Sequence, residues 1–236
     1  MVMSSEWLST SLKAGSTLFL PRFASNRLPS LVPIRELAPR HRERIQAHLL
    51  KLDTGDRYLR FGYAANDEQV RRYVDQLDFE RDDIFGIFNR RLELVAMAHL
   101  AYVDLAHHAN CAEFGVSVLK TARGKGLGGR LFARAALHAR NHGVDMMFIH
   151  ALSENTAMLK IARSAGAKVQ RDGTESEAYL QLPPGDFDSR MAEMVETHVA
   201  AVDYQFKKQA KQFWELLSDV QEIRKGVQDG RHQAGE

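Results

Sequence analysis

Between residues 31 and 182 the chain alternates two kinds of hydrophobic pattern. Compact apolar or β-branched runs predict strands, and apolar residues spaced three or four apart, such as Val70, Val74 and Leu77, predict helices. The predicted strands are Leu31–Leu37, Ile84–Phe88, Leu92–Val103, Ala112–Leu119, Met146–Ala151, Lys168–Arg171 and Ala178–Leu182. The predicted helices are Pro39–Lys51, Asp67–Leu77, Leu127–Asn141 and Asn155–Ala165. This order predicts an α/β fold of mixed α+β character, with helices flanking a mixed central sheet.

Two further zones flank this alternating region. Residues 1–30 mix Ser, Pro and Asn with scattered apolar residues, which is typical of an irregular N-terminal arm. Pro183, Pro184 and Gly185 break the chain after the last predicted strand. Residues 188–229 then predict one or two long helices. We therefore divide the chain into an arm at 1–30, an α/β domain at 31–182 and a C-terminal helical extension at 183–236.

The C-terminal extension carries a heptad pattern. The a positions are Val199, Phe206, Phe213, Val220 and Val227, and the d positions are Val202, Gln209, Leu216 and Ile223. Such a seam favours helix pairing, either as a homodimer through residues 188–229 or with a partner helix. A helix packed back on its own domain explains the same pattern equally well.

Composition narrows the class of protein. The chain has 236 residues, 44% of them hydrophobic, which is enough for a substantial core, and its net charge of +2 does not argue for nucleic-acid binding. One cysteine, Cys111, excludes an internal disulfide framework, and no apolar run approaches the length of a membrane span. We expect a soluble cytoplasmic protein without a membrane or nucleic-acid partner. His107 and His108 lack clustered partners, so no metal site is expected.

The most informative segment follows the predicted strand Ala112–Leu119 and runs Arg123-Gly-Lys-Gly-Leu-Gly-Gly129. Its glycines let backbone N–H groups approach a ligand closely. The segment opens a helix, whose first N–H groups lack partners and whose dipole favours an anion, so a diphosphate fits it well. Arg123 and Lys125 add positive charge.

These glycines allow two other interpretations. They could form only a tight strand-to-helix turn. Gly124, Gly126 and Gly129 also satisfy the dinucleotide-binding spacing G-x-G-x-x-G. That spacing normally begins at the strand end, whereas about five residues separate Val118 from Gly124. No acidic residue lies at the end of the next strand, since Asp145 stands at its beginning. A nucleotide-binding oxidoreductase is therefore disfavoured.

Several segments resemble one family. Arg123-Gly-Lys-Gly-Leu-Gly128 resembles the (Q/R)-x-x-G-x-(G/A) signature of the GNAT acetyltransferase superfamily. The segment 149–166 is similar to that family's strand followed by an Asn-led helix ending in Gly. Ala112–Val118, Glu154–Leu159 and Arg57–Phe61 look most like the catalytic module of bacterial protein-lysine acetyltransferases. The resemblance covers residues 31–182.

The resemblance implies a GNAT fold and an acyl-CoA site. Backbone groups of Val116, Ser117 and Val118 would bind the pantetheine arm, and Asn155 would contact the cofactor, although it could equally be a helix N-cap. The pyrophosphate would be held by Arg123, Gly124, Lys125, Gly126, Leu127, Gly128 and Gly129.

Acyl transfer to an amine requires a neutral nucleophile, and a lysine amine has a pKa of about 10.4, so a general base is expected. Glu113 is the candidate, because a Glu at the matching place acts as base in the related lysine acetyltransferases. Many GNAT enzymes also place a general-acid Tyr where this chain has Ala162. His150 and His99 could substitute.

The expected function is transfer of an acetyl group from acetyl-CoA to a primary amine, with a protein lysine as one candidate acceptor. The alternative is a non-catalytic acyl-CoA-binding regulatory module, which Ala162 favours.

Overall fold

The computed structural model describes residues 32–103 and 110–233, with side chains in the last helix only up to residue 213. Its strands form one seven-stranded sheet in the order β1-β2-β3-β4-β5-β7-β6. The strands are β1 Arg35–Glu36, β2 Asp83–Phe88, β3 Leu94–Val103, β4 Cys111–Val118, β5 Met146–Leu152, β6 Lys168–Asp172 and β7 Glu175–Gln181. The α-helices are α1 Arg42–Leu50, α2 Thr54–Phe61, α3 Asp67–Asp75, α4 Leu127–Asn141, α5 Thr156–Ser164 and α6 Phe187–Gln233. The predicted arm at 1–30 lies outside the described residues.

One parallel strand pair opens the sheet in its middle. Among the described strands, β4 and β5 form the only parallel pair, and their pairing ends at Glu113 opposite Phe148. Beyond that point β4 continues to Val118 against β3, while β5 continues to Leu152 against β7. The two strands therefore enclose a wedge that widens from Glu113 towards the segment before α4.

The two faces of the sheet pack against different helices. On one face, Phe114 and Met147 belong to a core cluster with residues of α4 and α5, including Leu131. On the other face, a second cluster joins residues of α1 and α3 to the sheet, including Ile45 and Val74. Because side chains alternate along a strand, Glu113, Gly115 and Ser117 point towards the face of α1, α2 and α3.

Several predicted boundaries were wrong. Helix α2 was not predicted, since it has few apolar residues, none of them buried; it begins after Asp53, which accepts a hydrogen bond from the Asp56 N–H at 2.8 Å, and ends at left-handed Gly62. The strand predicted from Leu92 begins at Leu94, because Leu92 lies in a turn with a φ of 60°. Leu31 lies outside the described residues, and the described part of the predicted strand Leu31–Leu37 forms a strand only at β1. The strand predicted from Ala178 extends back to Glu175.

Helix α6 is one continuous helix that presents different faces to the domain and to solvent. Ser189 and Ala200 are buried against the domain. Among the described seam residues, Val202, Phe206 and Phe213 are 41%, 67% and 57% exposed and Gln209 is exposed, whereas Val199 is half-buried. Four exposed apolar residues extend this stripe towards the start of the helix: Phe187, Met191, Met194 and Val195. The side chains of Leu216, Val220, Ile223 and Val227 lie outside the described part.

None of the described helices is both long enough and apolar enough to cross a membrane.

A buried ionic network fastens α6 to α4. Glu193 accepts hydrogen bonds from Arg134 at 2.7 Å, from His138 Nδ1 at 2.5 Å and from Asn141 at 2.6 Å. Burial alone would lower the pKa of His138, but hydrogen bonds to Asp83 and Glu193 outweigh it and raise that pKa to about 9.

His138, His142 and Glu193 offer donor atoms within 4.8 Å of one another. Both His138 nitrogens already face carboxylates, so we assign no ion to this group.

Candidate active site

The glycine-rich segment forms a turn that only glycine adopts without strain at two positions. Gly124 and Gly126 have φ values of 76° and 70°, in the left-handed region, and Gly126 is the N-cap of α4. Gly128 serves helix packing instead, because a Cβ there would lie 3.0 Å from Ile161 Cδ1. Gly129 has open space at its Cβ position, Lys125 is exposed, and Leu127 is buried in the core. The turn thus presents unpaired N–H groups at a helix N-terminus, as a diphosphate site requires.

The cations beside this turn are paired with acids at the start of α2. Arg123 forms an ion pair with Asp56, at 2.6 Å between Nη2 and Oδ2, and donates from Nε to the Val118 carbonyl at 3.1 Å. Lys120 pairs in the same way with Asp53. A cleft of about 610 Å³ lies between α2 and the turn, lined in part by Tyr58, Leu59 and Glu154. Asp56 therefore positions the Arg123 guanidinium at the rim of this cleft.

Asn155 connects the two sides of the wedge. Its side-chain oxygen accepts a hydrogen bond from the Met158 N–H at 3.1 Å, so it is the N-cap of α5. Its amide nitrogen donates to the Leu59 carbonyl of α2 at 3.3 Å. The N-cap role that the sequence left open is therefore present, and a cofactor contact by Asn155 remains a proposal.

The edge of β4 predicted to bind pantetheine is paired on one side. Val116, Ser117 and Val118 pair with β3, while β5 has already parted from them. The Ser117 hydroxyl points to the face of the sheet that α1 covers. It lies 2.8 Å from Nε2 of His48, which is buried. Burial lowers the pKa of His48 to about 4, so this ring is neutral near pH 7. His48 thereby ties α1 to β4, a link that the sequence pattern did not reveal.

Glu113 lies at the narrow end of the wedge. Its carboxylate is half exposed and stands 3.4 Å from His150 Nδ1, and His150 Nε2 stands 3.0 Å from Glu177 on β7. The imidazole thus links Glu113 to a second carboxylate on the open face of the sheet.

Ala162, where a general-acid Tyr was considered, is completely buried in the core between α4 and α5. A tyrosine at position 162 would therefore have to displace core packing.

A polar chain that sequence reasoning mostly missed crosses the neighbouring part of this face. His99 Nε2 lies 2.8 Å from Asp82, and His99 Nδ1 lies 2.8 Å from the Tyr73 hydroxyl. Arg60 Nη2 donates to the same hydroxyl at 3.0 Å. Of these four residues only His99 was a candidate, and it contacts Tyr73 and Asp82 rather than Glu113. His107 and His108, which were considered as metal ligands, lie outside the described residues.

Comparison with known proteins identifies the class. The Acetyltransferase (GNAT) family matches residues 49–167, about half of the chain. The chain therefore belongs to the GNAT acetyltransferase family. Its mixed seven-stranded sheet with flanking helices is the GNAT fold, as predicted, followed by the long helix α6.

Solved structures support the same fold. The GNAT domain of S. lividans PAT is 19% identical, with a TM-score of 0.55 over 63% of this chain and 89% of that chain. A ribosomal-protein-alanine N-acetyltransferase from Brucella melitensis is 16% identical, with a TM-score of 0.51 over 63% and 99%. An N-acetyltransferase from Staphylococcus aureus Mu50 is also 16% identical, with a TM-score of 0.51 over 64% and 98%. These identities establish the fold alone. No curated protein matches the chain.

Proposed function

We propose that this protein transfers an acetyl group from acetyl-CoA to a primary amine, with a protein lysine as a candidate acceptor. The observation that carries the proposal is the wedge between β4 and β5. Its wide end meets a glycine turn at a helix N-terminus, and its narrow end meets Glu113. A donor whose diphosphate bound at the glycine turn and whose thioester lay near Glu113 would run along β4.

The donor would be held mainly by backbone groups. The turn from Arg123 to Gly129 would bind the pyrophosphate, with Arg123 and Lys125 providing charge at the rim. The unpaired edge of β4 at Val116–Val118 would bind the amide groups of pantetheine. Asn155, at the start of α5, would contact the cofactor from the side of the wedge opposite β4.

Forming an amide from an ammonium group removes two protons from the acceptor nitrogen, one before attack on the thioester and one after it. An ammonium group must become an amine before it attacks the thioester carbonyl carbon. Glu113 would accept the first proton, directly or through water, and the second would pass to water as the amide forms. His150 would orient the Glu113 carboxylate. The carbon–sulfur bond then breaks and the sulfur leaves with the bonding electrons.

A non-catalytic acyl-CoA-binding regulatory module remains the second candidate. The specific observation in its favour is the burial of Ala162, which leaves no proton donor at that position for the departing sulfur. Both candidates bind acetyl-CoA, so a thermal shift with acetyl-CoA tests the shared donor site. Enzyme-dependent release of free thiol in the presence of an amine separates the two.

Replacing Gly126 by alanine should weaken donor binding. A left-handed residue with a Cβ costs about 1–2 kcal/mol, and a turn that relaxes to avoid this cost no longer aligns its N–H groups. Loss of one aligned hydrogen bond would lower the affinity for acetyl-CoA about tenfold, measured by calorimetry. Gly173→Ala is the matched control, since Gly173 has a φ of 58° in a hairpin away from the turn. Equal acetyl-CoA affinities in the two variants would argue against a diphosphate at the turn.

We also propose that α6 pairs two copies of the chain. The support is the solvent-facing apolar stripe on the side of α6 opposite the face that packs on the domain. Light scattering of the full chain should give a dimer mass, and Phe206→Glu with Phe213→Glu should reduce it to a monomer. Gln205→Glu with Gln212→Glu changes the same helix outside the a and d positions and should keep the dimer. A monomeric wild-type protein would refute the pairing.

A cytoplasmic location is part of the same proposal. It fits an acetyl-CoA-dependent reaction and the single cysteine, Cys111, which is buried.

A further inference from the structure

The guanidinium group of Arg60 lies flat against the backbone of β4 at Gly115. A Cβ added at Gly115 would lie 2.9 Å from Arg60 Cζ and Nη2 and 3.0 Å from Nη1. Any side chain at this position would therefore displace the guanidinium. Gly115 stands two residues past Glu113, in the part of β4 that has parted from β5. Arg60 thus places a positive charge at the narrow end of the wedge, on the same face of the sheet as Glu113.

This charge has no carboxylate partner in the described part of the chain. Arg60 Nε is buried and makes no hydrogen bond there. Arg134 and Arg140 also have a buried Nε without a hydrogen bond, but each forms an ion pair with a carboxylate. Arg60 instead lies 5.3 Å and 5.6 Å from the ring centroids of Phe61 and Tyr73. A partly buried cation held by aromatic rings, without a resident anion, is suited to an anion that arrives with a ligand.

The polar chain behind Arg60 fixes its orientation. His99 Nε2 lies 2.8 Å from the Asp82 carboxylate, which can only accept, and His99 Nδ1 lies 2.8 Å from the Tyr73 hydroxyl. The Tyr73 oxygen accepts a hydrogen bond from Arg60 Nη2 at 3.0 Å. The Tyr73 hydroxyl is thus held between His99 and Arg60. These hydrogen bonds hold the Arg60 guanidinium in place as the charged group over Gly115.

We propose that Arg60 binds the thiolate of CoA as it leaves during acyl transfer, in place of the proton donor that Ala162 does not supply. This inference rests on the proposed donor site along β4. Gly115 lies three residues before Val118, about 10 Å along the strand, so a pantetheine arm running from the turn would bring its sulfur towards Gly115.

The electron balance of the step needs no further reactant. The acceptor's ammonium group first gives one proton to Glu113. The resulting amine nitrogen bonds to the carbonyl carbon, the carbon–sulfur bond breaks with both electrons going to sulfur, and the nitrogen loses its second proton to water. Arg60 exchanges no proton, because guanidinium stays protonated throughout the accessible pH range. It stabilises the negative charge on sulfur, and water protonates the thiolate after it is released.

The affinity of CoA as a function of pH tests this inference without any acceptor. A site that stabilises the thiolate by one pKa unit binds it tenfold more tightly than the thiol. We therefore expect the affinity of CoA to rise nearly tenfold between about pH 6.5 and 9.5, across the thiol pKa of about 8.5. S-methyl-CoA has no titrating thiol and corrects for other pH effects on the site. Parallel curves for CoA and S-methyl-CoA in the wild-type protein would overturn the inference, even if acetyl transfer is observed.

Substitutions separate charge from packing. Arg60→Met should lose the extra affinity of CoA at high pH and lower kcat by about 10²–10³, with the affinity for S-methyl-CoA within a factor of about three. Arg60→Lys keeps the charge and should retain most of the pH effect, and it remains informative if Arg60→Met does not fold. Arg72→Met, an exposed arginine on α3, is the control and should behave as wild type. Equal kcat in Arg60→Met and wild type, or equal losses in the Lys and Met variants, would refute a role of the charge.

Discussion

Replacing Glu113 by glutamine is expected to lower kcat for acetyl transfer by about 10²–10⁴ while acetyl-CoA still binds with wild-type affinity. The amide has the same shape as the carboxylate but cannot take a proton from an incoming ammonium group. Glu113 stands where β4 and β5 part and is open to solvent on one side, so an acceptor can reach it. Steady-state thiol release and calorimetric acetyl-CoA affinity measure the two quantities separately.

Glu177→Gln is the matched control for this substitution. Glu177 contacts the same imidazole of His150, at 3.0 Å, but lies on β7, away from the end of the parallel pairing. It should keep most of the wild-type kcat. If Glu113→Gln retains full activity, or if both variants lose activity equally, Glu113 is not the base.

Replacing Glu193 by alanine is expected to destabilise the fold by about 3–5 kcal/mol. The substitution removes the carboxylate that Arg134 and His138 share, and Arg134 has only 3% of its side chain exposed. Two cationic groups would then remain buried without their main partner, and α6 would lose its central contact with α4. Urea unfolding at pH 7 gives the free energy of unfolding directly.

Two comparisons test the cause of this loss. Glu196→Ala removes a half-exposed carboxylate 3.7 Å from Arg134 and should cost less than about 1 kcal/mol. The loss in Glu193→Ala should also depend on pH. His138 has a folded-state pKa of about 9, above its ordinary value of 6.5, so its ionic contribution is complete below about 6.5 and disappears as pH rises through 9. A cost for Glu193→Ala that is small at pH 7, or unchanged at pH 9.5, would contradict the buried ionic network.

Local patterns were sufficient to predict the glycine turn and most of the elements around it. Gly124 and Gly126 adopt left-handed conformations, which glycine favours, so their residue type alone indicates a turn. Beside the wedge, β5 forms a compact apolar run, and in β4 the apolar residues Ala112, Phe114, Val116 and Val118 alternate with small or polar ones. Helix α2 was missed despite its Asp53 cap and its terminal Gly62, because only three of its eight residues, Tyr58, Leu59 and Phe61, are apolar and none of them is fully buried.

Contacts between distant parts of the chain could not be predicted in this way. Arg60 reaches Gly115 across 55 positions, and the reason for a glycine at 115 is visible only when the guanidinium is in place. His48 and Ser117 are likewise far apart in sequence. In α6, the heptad pattern identified the apolar stripe. The face that packs on the domain uses Ser189 and Glu193, and polar residues do not indicate from sequence that they contact Asn141 of α4.

The most direct test of the proposed activity is release of free thiol from acetyl-CoA in the presence of primary amines and lysine-containing proteins. We expect at least one acceptor to give protein-dependent thiol release, with an equal amount of acetylated product, and Glu113→Gln to abolish most of it. Binding of acetyl-CoA with no thiol release above the protein-free rate for any acceptor would contradict catalysis and favour the regulatory module.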